Sequence, residues 1–246
     1  MTKLVHKPLI KPMFMSSEFV EYTGSVMSID PSGRGKDETG YAPVVKMLNG
    51  YLYVRRCGGI VGGYSEEALQ KLAVIAKEEQ VNEIIVESNF GDGMFNQLFM
   101  PVLNKVHPVT MGEVRHNTQK ERRIIDVLEP VMNQHRLVMD KKVIQKDFDS
   151  CQHLPPEQAL RYQLMYQLTR LTADRGALTN DDRLDALAMA CQYWVDAMAQ
   201  DVEQRMGVRK EELMAAELNR LREQASMGFA VITGHQSEKT TNTLRW

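Results

Sequence analysis

Cysteine is scarce in this chain. Its three cysteines are far apart and odd in number, so they fit neither a disulfide framework nor the paired spacing of a zinc site. The sequence therefore excludes the small disulfide-rich and zinc-knuckle classes of protein. We expect reduced and mostly buried thiols at Cys57, Cys151 and Cys191.

Long apolar runs and a nucleotide-binding motif are also absent. No segment approaches the ~18 consecutive apolar residues of a membrane span, so we expect no membrane partner. The opening residues, MTKLVHKPLIKPMFMSSEF, lack the continuous apolar core of a signal peptide, which predicts an intracellular protein. Neither GxxxxGKS nor GxxxxGKT occurs anywhere, so no ATPase is visible in the chain.

The chain has no excess of positive charge. Its 30 Lys and Arg are balanced by 32 Asp and Glu, for a net charge of −2. This balance argues against a protein that simply coats nucleic acid. An enzyme is not excluded, because an acidic metal site can mask a basic surface elsewhere. At 246 residues and 43% hydrophobic composition, the chain can bury a sizeable core.

Hydrophobic periodicity predicts a mixed α/β fold. A short strand at 26–30 precedes two β-rich runs, 41–47 and 51–56, joined by an Asn-Gly turn. Helices and strands then alternate, which is the ribonuclease-H-like order: an antiparallel three-strand meander followed by parallel strands, flanked by helices. Later helices are predicted at 65–76, 94–105, 118–134 and 156–171, and for the last of these a strand is the alternative. Later strands are predicted at 83–87, within 106–114 and at 137–139. Two C-terminal helices are predicted, one from Asp181 and one over 210–224.

Composition also suggests the domain boundaries. Residues 1–24 contain helix-breaking Pro8 and Pro12, which predicts an irregular leader or linker. Residues 25–205 should form the folded domain. Residues 206–246 are predicted to add a charged helix with a thin apolar face and a polar, flexible tail.

Acidic residues fall at the ends of the predicted elements. Asp30 ends the first strand and Glu87 ends the fourth, and each follows apolar residues that should be buried. Carboxylates at strand ends can meet at one edge of a sheet. In the DDRLD run, Asp182 and Asp185 are three residues apart and share a helix face, which leaves Asp181 as the expected cap.

Converging carboxylates repel one another and stay ionised together only around a cation. Oxygen ligands without His or Cys favour Mg²⁺ or Mn²⁺. Two such ions, ~3.5–4 Å apart, would clamp an in-line phosphoryl displacement. We therefore expect Asp30, Glu87, Asp182 and Asp185 to be both the metal ligands and the catalytic residues.

Each acid also has a simpler interpretation. Asp30 before Pro31 can form a turn, and Glu87 can be a solvent-exposed strand end. Asp181 and Asp182 can be an N-cap and a first-turn acid that favour the helix dipole. Asp185, flanked by apolar residues one turn into the helix, is harder to explain in this way.

Two basic segments are candidates for DNA contact. Arg34 and Lys36 lie in a glycine-rich loop that is either a plain turn or a phosphate-binding loop. Arg115, Lys120 and Arg123 lie in GEVRHNTQKERR, which is either a solvated helix start or a surface that follows the DNA backbone.

Four segments together resemble the nuclease half of the large terminase subunit of T-odd-type short-tailed phages. They are SIDPSGRGKDETGYAPV, IIVESNFGDGMF, QKERRIIDVLEPVMNQHRLV and ALTNDDRLDALAMA, within about residues 25–201. The element DRLDAL is also similar to the last acidic motif of RuvC-type resolvases, which share the ribonuclease-H-like fold.

The resemblance implies an endonuclease that cuts concatemeric double-stranded phage DNA during packaging. It also implies an N-terminal ATPase domain in a longer protein, portal, procapsid and small-subunit partners, and the cytoplasm of an infected bacterium as location. We expect the isolated domain to be a monomer. The alternatives are a Holliday-junction resolvase of the same fold, or a portal-docking module with structural acids.

Overall fold

The structure, a computed structural model, describes residues 20–32, 37–88 and 93–234, with side chains as far as residue 223. Within these ranges the chain forms one mixed sheet flanked by helices. Its strands are β1 (Tyr22–Asp30), β2 (Thr39–Met47), β3 (Leu52–Val54), β4 (Gly58–Ile60), β5 (Glu83–Glu87), β6 (Thr110–Val114) and β7 (Leu137–Met139).

The strand order is β6-β5-β1-β2-β3-β7, with β4 beside β2. β2 pairs antiparallel with β1, β3 and β4. The pairs β1–β5, β5–β6 and β3–β7 are parallel. The predicted meander followed by parallel strands is therefore confirmed. The short strand β4 was not predicted, and it makes Glu87 the end of the fifth strand instead of the fourth.

The helices are α1 (Glu66–Glu78), α2 (Met94–Val106), α3 (Lys120–Asn133), α4 (Lys141–Ser150), α5 (Pro156–Tyr162), α6 (Leu164–Arg170) and α7 (Asp182–Gly234). Helix α1 begins where its sequence predicts, because the Ser65 side chain accepts a hydrogen bond from the Ala68 backbone.

Three helical predictions were wrong or incomplete. The segment predicted as one helix over 156–171 is two helices, because Gln163 between them is extended. Helix α4 was missed, although Asp140 caps it through the Lys142 backbone N–H. The two predicted C-terminal helices form a single helical run, α7, which continues through Gly207 without a break.

The chain divides into two compact units, one ending at Asp196 and the other beginning at Ala197. In the first unit, apolar residues of β1 and β5 pack against α1 and α2 on one face of the sheet. The start of α7 covers the opposite face, where the Ser28 hydroxyl donates to the Ala186 carbonyl and the Trp194 indole N–H to the Val44 carbonyl.

The part of α7 in the first unit is buried on nearly every side, as expected for a helix enclosed in a core. The three free cysteines are also buried, which confirms that prediction. In the second unit, the side chains from 199 to 223 are exposed. None of the helices described in the structure combines the length and apolar character needed to cross a bilayer.

Candidate metal centre

The centre is built at the ends of two neighbouring parallel strands. Ile29 of β1 lies opposite Val86 of β5, so Asp30 and Glu87 follow at the same level of the sheet. Side chains alternate along a strand, and Asp30 therefore shares a face with Ser28. That face carries α7, since Ser28 bonds to the Ala186 carbonyl.

Helix α7 supplies the third acid. Asp185 has no solvent exposure and lies one turn into the helix. One carboxylate oxygen each from Asp30, Glu87 and Asp185 fall within 4.8 Å of one another. The structure thus brings together three of the four acids that the sequence singled out, and we call these three the acidic cluster.

Two cations of α3 contact the acidic cluster. Lys120 and Arg123 are three residues apart and share a helix face. The Lys120 ammonium lies 3.3 Å from Asp30 Oδ2 and 3.0 Å from Asp185 Oδ2. The Arg123 guanidinium lies 3.1 Å from Glu87 Oε1 and 2.6 Å from Asp185 Oδ1. Each acid of the cluster therefore has a positive partner from the same helix.

Further polar groups surround this centre. His116 Nδ1 lies 3.0 Å from Glu87 Oε1. Asp181 Oδ1 lies 2.9 Å from the Lys120 ammonium, while the Asp181 carbonyl accepts the first helical bond of α7 from Asp185 N–H. Asp181 therefore stands at the predicted N-cap position of α7. Its carboxylate contacts the Lys120 ammonium.

Burial and charge shift the acids of the cluster in different directions. Burial raises the pKa of Asp30 and of Asp185, and nearby carboxylates add to both shifts while Lys120 opposes them. Burial also opposes ionisation of Glu87, but Arg123, His116 and Lys120 outweigh it and hold the pKa of Glu87 below its ordinary value. Asp30 and Asp185 are thus the acids whose ionised forms most need a further cation.

The donor set fits a hard divalent cation. It offers three carboxylates and no sulfur ligand, which is the combination that favours Mg²⁺ or Mn²⁺ over zinc. One oxygen of each carboxylate lies within 4.8 Å of the others, which makes the group a candidate to hold a shared cation. His116 contacts Glu87 from outside the cluster, where it can orient that carboxylate, as hydrogen-bonding partners of metal ligands commonly do.

The remaining predicted site residues are placed as follows. Asp182 lies outside the converging group, and its carboxylate is partly buried. Burial raises the pKa of Asp182 to about 7, with Lys120 acting in the opposite direction. The exposed Arg115 donates from Nε to the Ser88 hydroxyl, directly after Glu87. Arg34 and Lys36 lie outside the described residues.

One group near the site was not predicted. Arg183, inside the DDRLD run, is almost fully buried and pairs with Glu38 and Asp147. Its sequence signal is the helical phase: Arg183 stands at the same angular position as buried Leu187 and Trp194. A charged residue in an apolar phase indicates a buried partner.

The topology and the acidic cluster define a ribonuclease-H-like domain, and comparison with known proteins agrees. A family model described as "Terminase Bacteriophage T7, Ribonuclease H-like domain" matches residues 29–137. The chain is 46% identical over 181 residues to the protein of Enterobacteria phage T3 named "Terminase, large subunit". Residues 29–137 therefore carry a ribonuclease-H-like domain of the T7 terminase type, as the resemblance predicted.

The matched part is 74% of this chain but only 31% of the T3 protein. Two solved structures share part of the arrangement at low sequence identity. The nuclease domain of the P22 large terminase is 11% identical, with a TM-score of 0.49 over 79% of this chain and 92% of that one. The nuclease domain of the large terminase subunit of bacterial virus Sf6 is 13% identical, with a TM-score of 0.46 over 70% and 89%.

Proposed function

We propose that this domain is a metal-dependent endodeoxyribonuclease that cuts phage DNA during genome packaging, by hydrolysis with two metal ions. The observation that carries the proposal is the convergence of Asp30, Glu87 and Asp185 within 4.8 Å. The match of residues 29–137 to the ribonuclease-H-like domain of a terminase supports the reaction class.

The residues of the centre have different proposed roles. Asp30, Glu87 and Asp185 would hold the Mg²⁺ or Mn²⁺ ions. Bound there, such ions supply an activated water and stabilise the leaving 3′ oxygen of the phosphodiester. His116 holds the Glu87 carboxylate in place. Arg115, exposed beside Ser88 at the end of β5, is placed to contact a phosphate of the DNA backbone.

Lys120 and Arg123 contact the acidic cluster, in addition to their predicted contact with DNA. Both form ion pairs with the acidic cluster, so their charges keep three close carboxylates together before a cation binds. Contact with DNA phosphates remains a prediction for these two residues. A metal ion at this centre would share the three carboxylates with these two cations.

Plasmid digestion tests the proposed function. We expect the chain to nick and linearise supercoiled DNA with Mg²⁺ or Mn²⁺, and to leave it intact in EDTA. A four-way junction offered beside linear duplex separates the packaging nuclease from a resolvase, because selective junction cleavage would support the latter. Intact DNA under every metal condition would contradict the nuclease and leave the docking module as the better interpretation.

Asp182 and Asp185 are expected to differ in importance. Asp182→Asn should change metal-dependent cleavage by no more than ~10-fold, because its carboxylate stands outside the converging group and can act only through neighbours. Initial cleavage rates, compared with those of Asp185→Asn, measure the difference. Equal losses in the two variants would show that Asp182 is also a ligand.

The wider assembly follows from the resemblance alone. Double-stranded DNA, an ATPase domain of the full-length protein, the portal, the procapsid and the small subunit remain predicted partners. Location in the cytoplasm of the infected host, the monomeric state and the boundaries at residues 24 and 205 also remain predictions.

A further inference from the structure

Arg183, two residues before Asp185 in the chain, carries a guanidinium group that is buried within the fold, with 1% side-chain exposure. Its Nε and Nη2 donate to the two oxygens of Glu38 at 2.9 and 3.0 Å, which is the two-pronged arrangement of a strong Arg–carboxylate pair. Its Nη1 donates to Asp147 Oδ1 and to the Ser150 hydroxyl, each at 2.8 Å.

These contacts join segments that are distant in sequence. Glu38 directly precedes β2, and Asp147 lies in α4. Asp147 also accepts from the backbone N–H groups of Leu164 and Met165 at the start of α6. Arg183 therefore links the first turn of α7 to the residue that precedes β2 and, through Asp147, to α4 and α6.

A glycine provides the space for this arrangement. A Cβ added to Gly59 of β4 would collide with the Glu38 carboxylate and lie 2.7 Å from the Glu38 Cβ. Only a residue without a side chain leaves Glu38 in reach of the guanidinium. Strand β4 thus lies against β2 with room for the Glu38 side chain, because Gly59 has no side chain of its own.

The backbone of the first turn of α7 is held as well. Leu184 N–H donates to Gln167 Oε1 at 3.0 Å, and the Cys57 thiol lies 3.4 Å from the Arg183 carbonyl. The first N–H groups of a helix have no partner inside the helix, so the Gln167 contact fixes a group that would otherwise need water. Rotation or sliding of this turn would break contacts on several sides.

We propose that Arg183, with Glu38 and Asp147, is a positioning residue that sets the geometry of the Asp185 carboxylate for cation binding. Residues two apart on a helix differ by 200° in direction, so Arg183 and Asp185 point to opposite sides of α7. Arg183 acts through the helix backbone. Its contacts with Glu38 and Asp147 hold the first turn of α7 in place, and this keeps the Asp185 carboxylate directed toward Asp30 and Glu87. The inference rests on the proposed metal-dependent function.

The test uses Arg183→Lys, which keeps the charge and loses the two-pronged pair. Its matched control is Arg55→Lys, which alters another Arg–Glu contact, 3.1 Å from Glu79, between the sheet and the end of α1. Binding of Mn²⁺ is followed by electron paramagnetic resonance, and cleavage rates are measured against Mn²⁺ concentration. Circular dichroism selects a temperature at which every variant is folded.

We expect Arg183→Lys to weaken Mn²⁺ binding by roughly 10–100-fold, the range found when groups that orient metal ligands are changed. Raised Mn²⁺ should restore part of the cleavage rate, whereas Arg55→Lys should bind as the wild type does. Unchanged Mn²⁺ binding in folded Arg183→Lys would overturn the positioning role.

Two further variants keep the outcomes distinct. Glu38→Gln leaves an amide oxygen for the same guanidinium and is a milder change. If Arg183→Lys does not fold, Mn²⁺ binding by folded Glu38→Gln tests the positioning role instead, and unchanged binding would overturn it. Asp185→Asn should abolish the binding that is measured. A wild type that binds no Mn²⁺ overturns the proposed function and this inference together, while a binding wild type with an equally binding Arg183 variant overturns the inference alone.

Discussion

Asparagine in place of Asp185 is expected to reduce metal-dependent DNA cleavage by roughly 10³-fold or more. The substitution keeps the shape of the side chain but removes the charge that faces Lys120 and Arg123. A metal ion contributes several kcal/mol of transition-state stabilisation, and each ~1.4 kcal/mol corresponds to a tenfold change in rate. Initial rates of plasmid nicking at saturating Mn²⁺ measure the loss.

Asp30→Asn and Glu87→Gln should have similar effects, since one oxygen of each belongs to the converging group. The matched control is Asp126→Asn, which removes an exposed carboxylate from α3 and should leave the rate unchanged. Thermal melts establish that the variants remain folded. Cleavage by Asp185→Asn at a rate near that of the wild type would remove Asp185 from the centre.

Strand-end acids were the part of this site that sequence could predict. An apolar run such as EIIVE defines its own strand, and the strand positions its terminal carboxylate without reference to the rest of the chain. Two such strands in a ribonuclease-H-like order already placed Asp30 and Glu87 together. The acids were therefore predictable from local pattern and strand order alone.

The partners of those acids were not predictable in the same way. Lys120 and Arg123 pair with residues 90 and 62 positions away, and a basic segment at the start of a helix is equally typical of a DNA-facing surface. Helical phase could not separate Asp182 from Asp185 either, because residues three apart share a face. Only tertiary packing places Asp185 in the cluster.

Two element errors have equally physical causes. Strand β4 consists of Gly58, Gly59 and Ile60, and glycine carries no strand preference of its own. It pairs with β2 beside Glu38, whose side chain occupies the space that a side chain at position 59 would need. The break at Gln163 likewise has no proline or glycine to signal it, and Asp147 satisfies the freed N–H groups from another helix.

Gly40 marks a close approach between the sheet and the helix that carries Asp185. It lies opposite Asp30 in the pairing of β1 with β2. A Cβ added there would lie 2.6 Å from the Asp182 carbonyl carbon and closer still to its oxygen. These contacts are with backbone, which cannot rotate away as a flexible side chain would.

Gly40→Ala is therefore expected to push the first turn of α7 off the sheet. Such overpacking costs about 1–3 kcal/mol of the free energy of unfolding, or a drop in melting temperature of ~2–4 °C per kcal/mol for a chain of this size. Cleavage should fall further, by about 10²-fold, because a displacement of ~1 Å at a reacting centre has that effect. Melting curves and cleavage rates below the transition measure the two effects separately.

Gly112→Ala is the matched control for Gly40→Ala. Gly112 also lies in a strand, β6, but its added Cβ would meet only ordinary contacts, 3.7 Å from Glu83 Oε1 and 4.0 Å from Ile85 Cγ2. It should therefore melt and cleave almost as the wild type does. If Gly40→Ala lost stability but cleaved normally while folded, the spacing between the sheet and α7 would matter for folding and not for the position of Asp185.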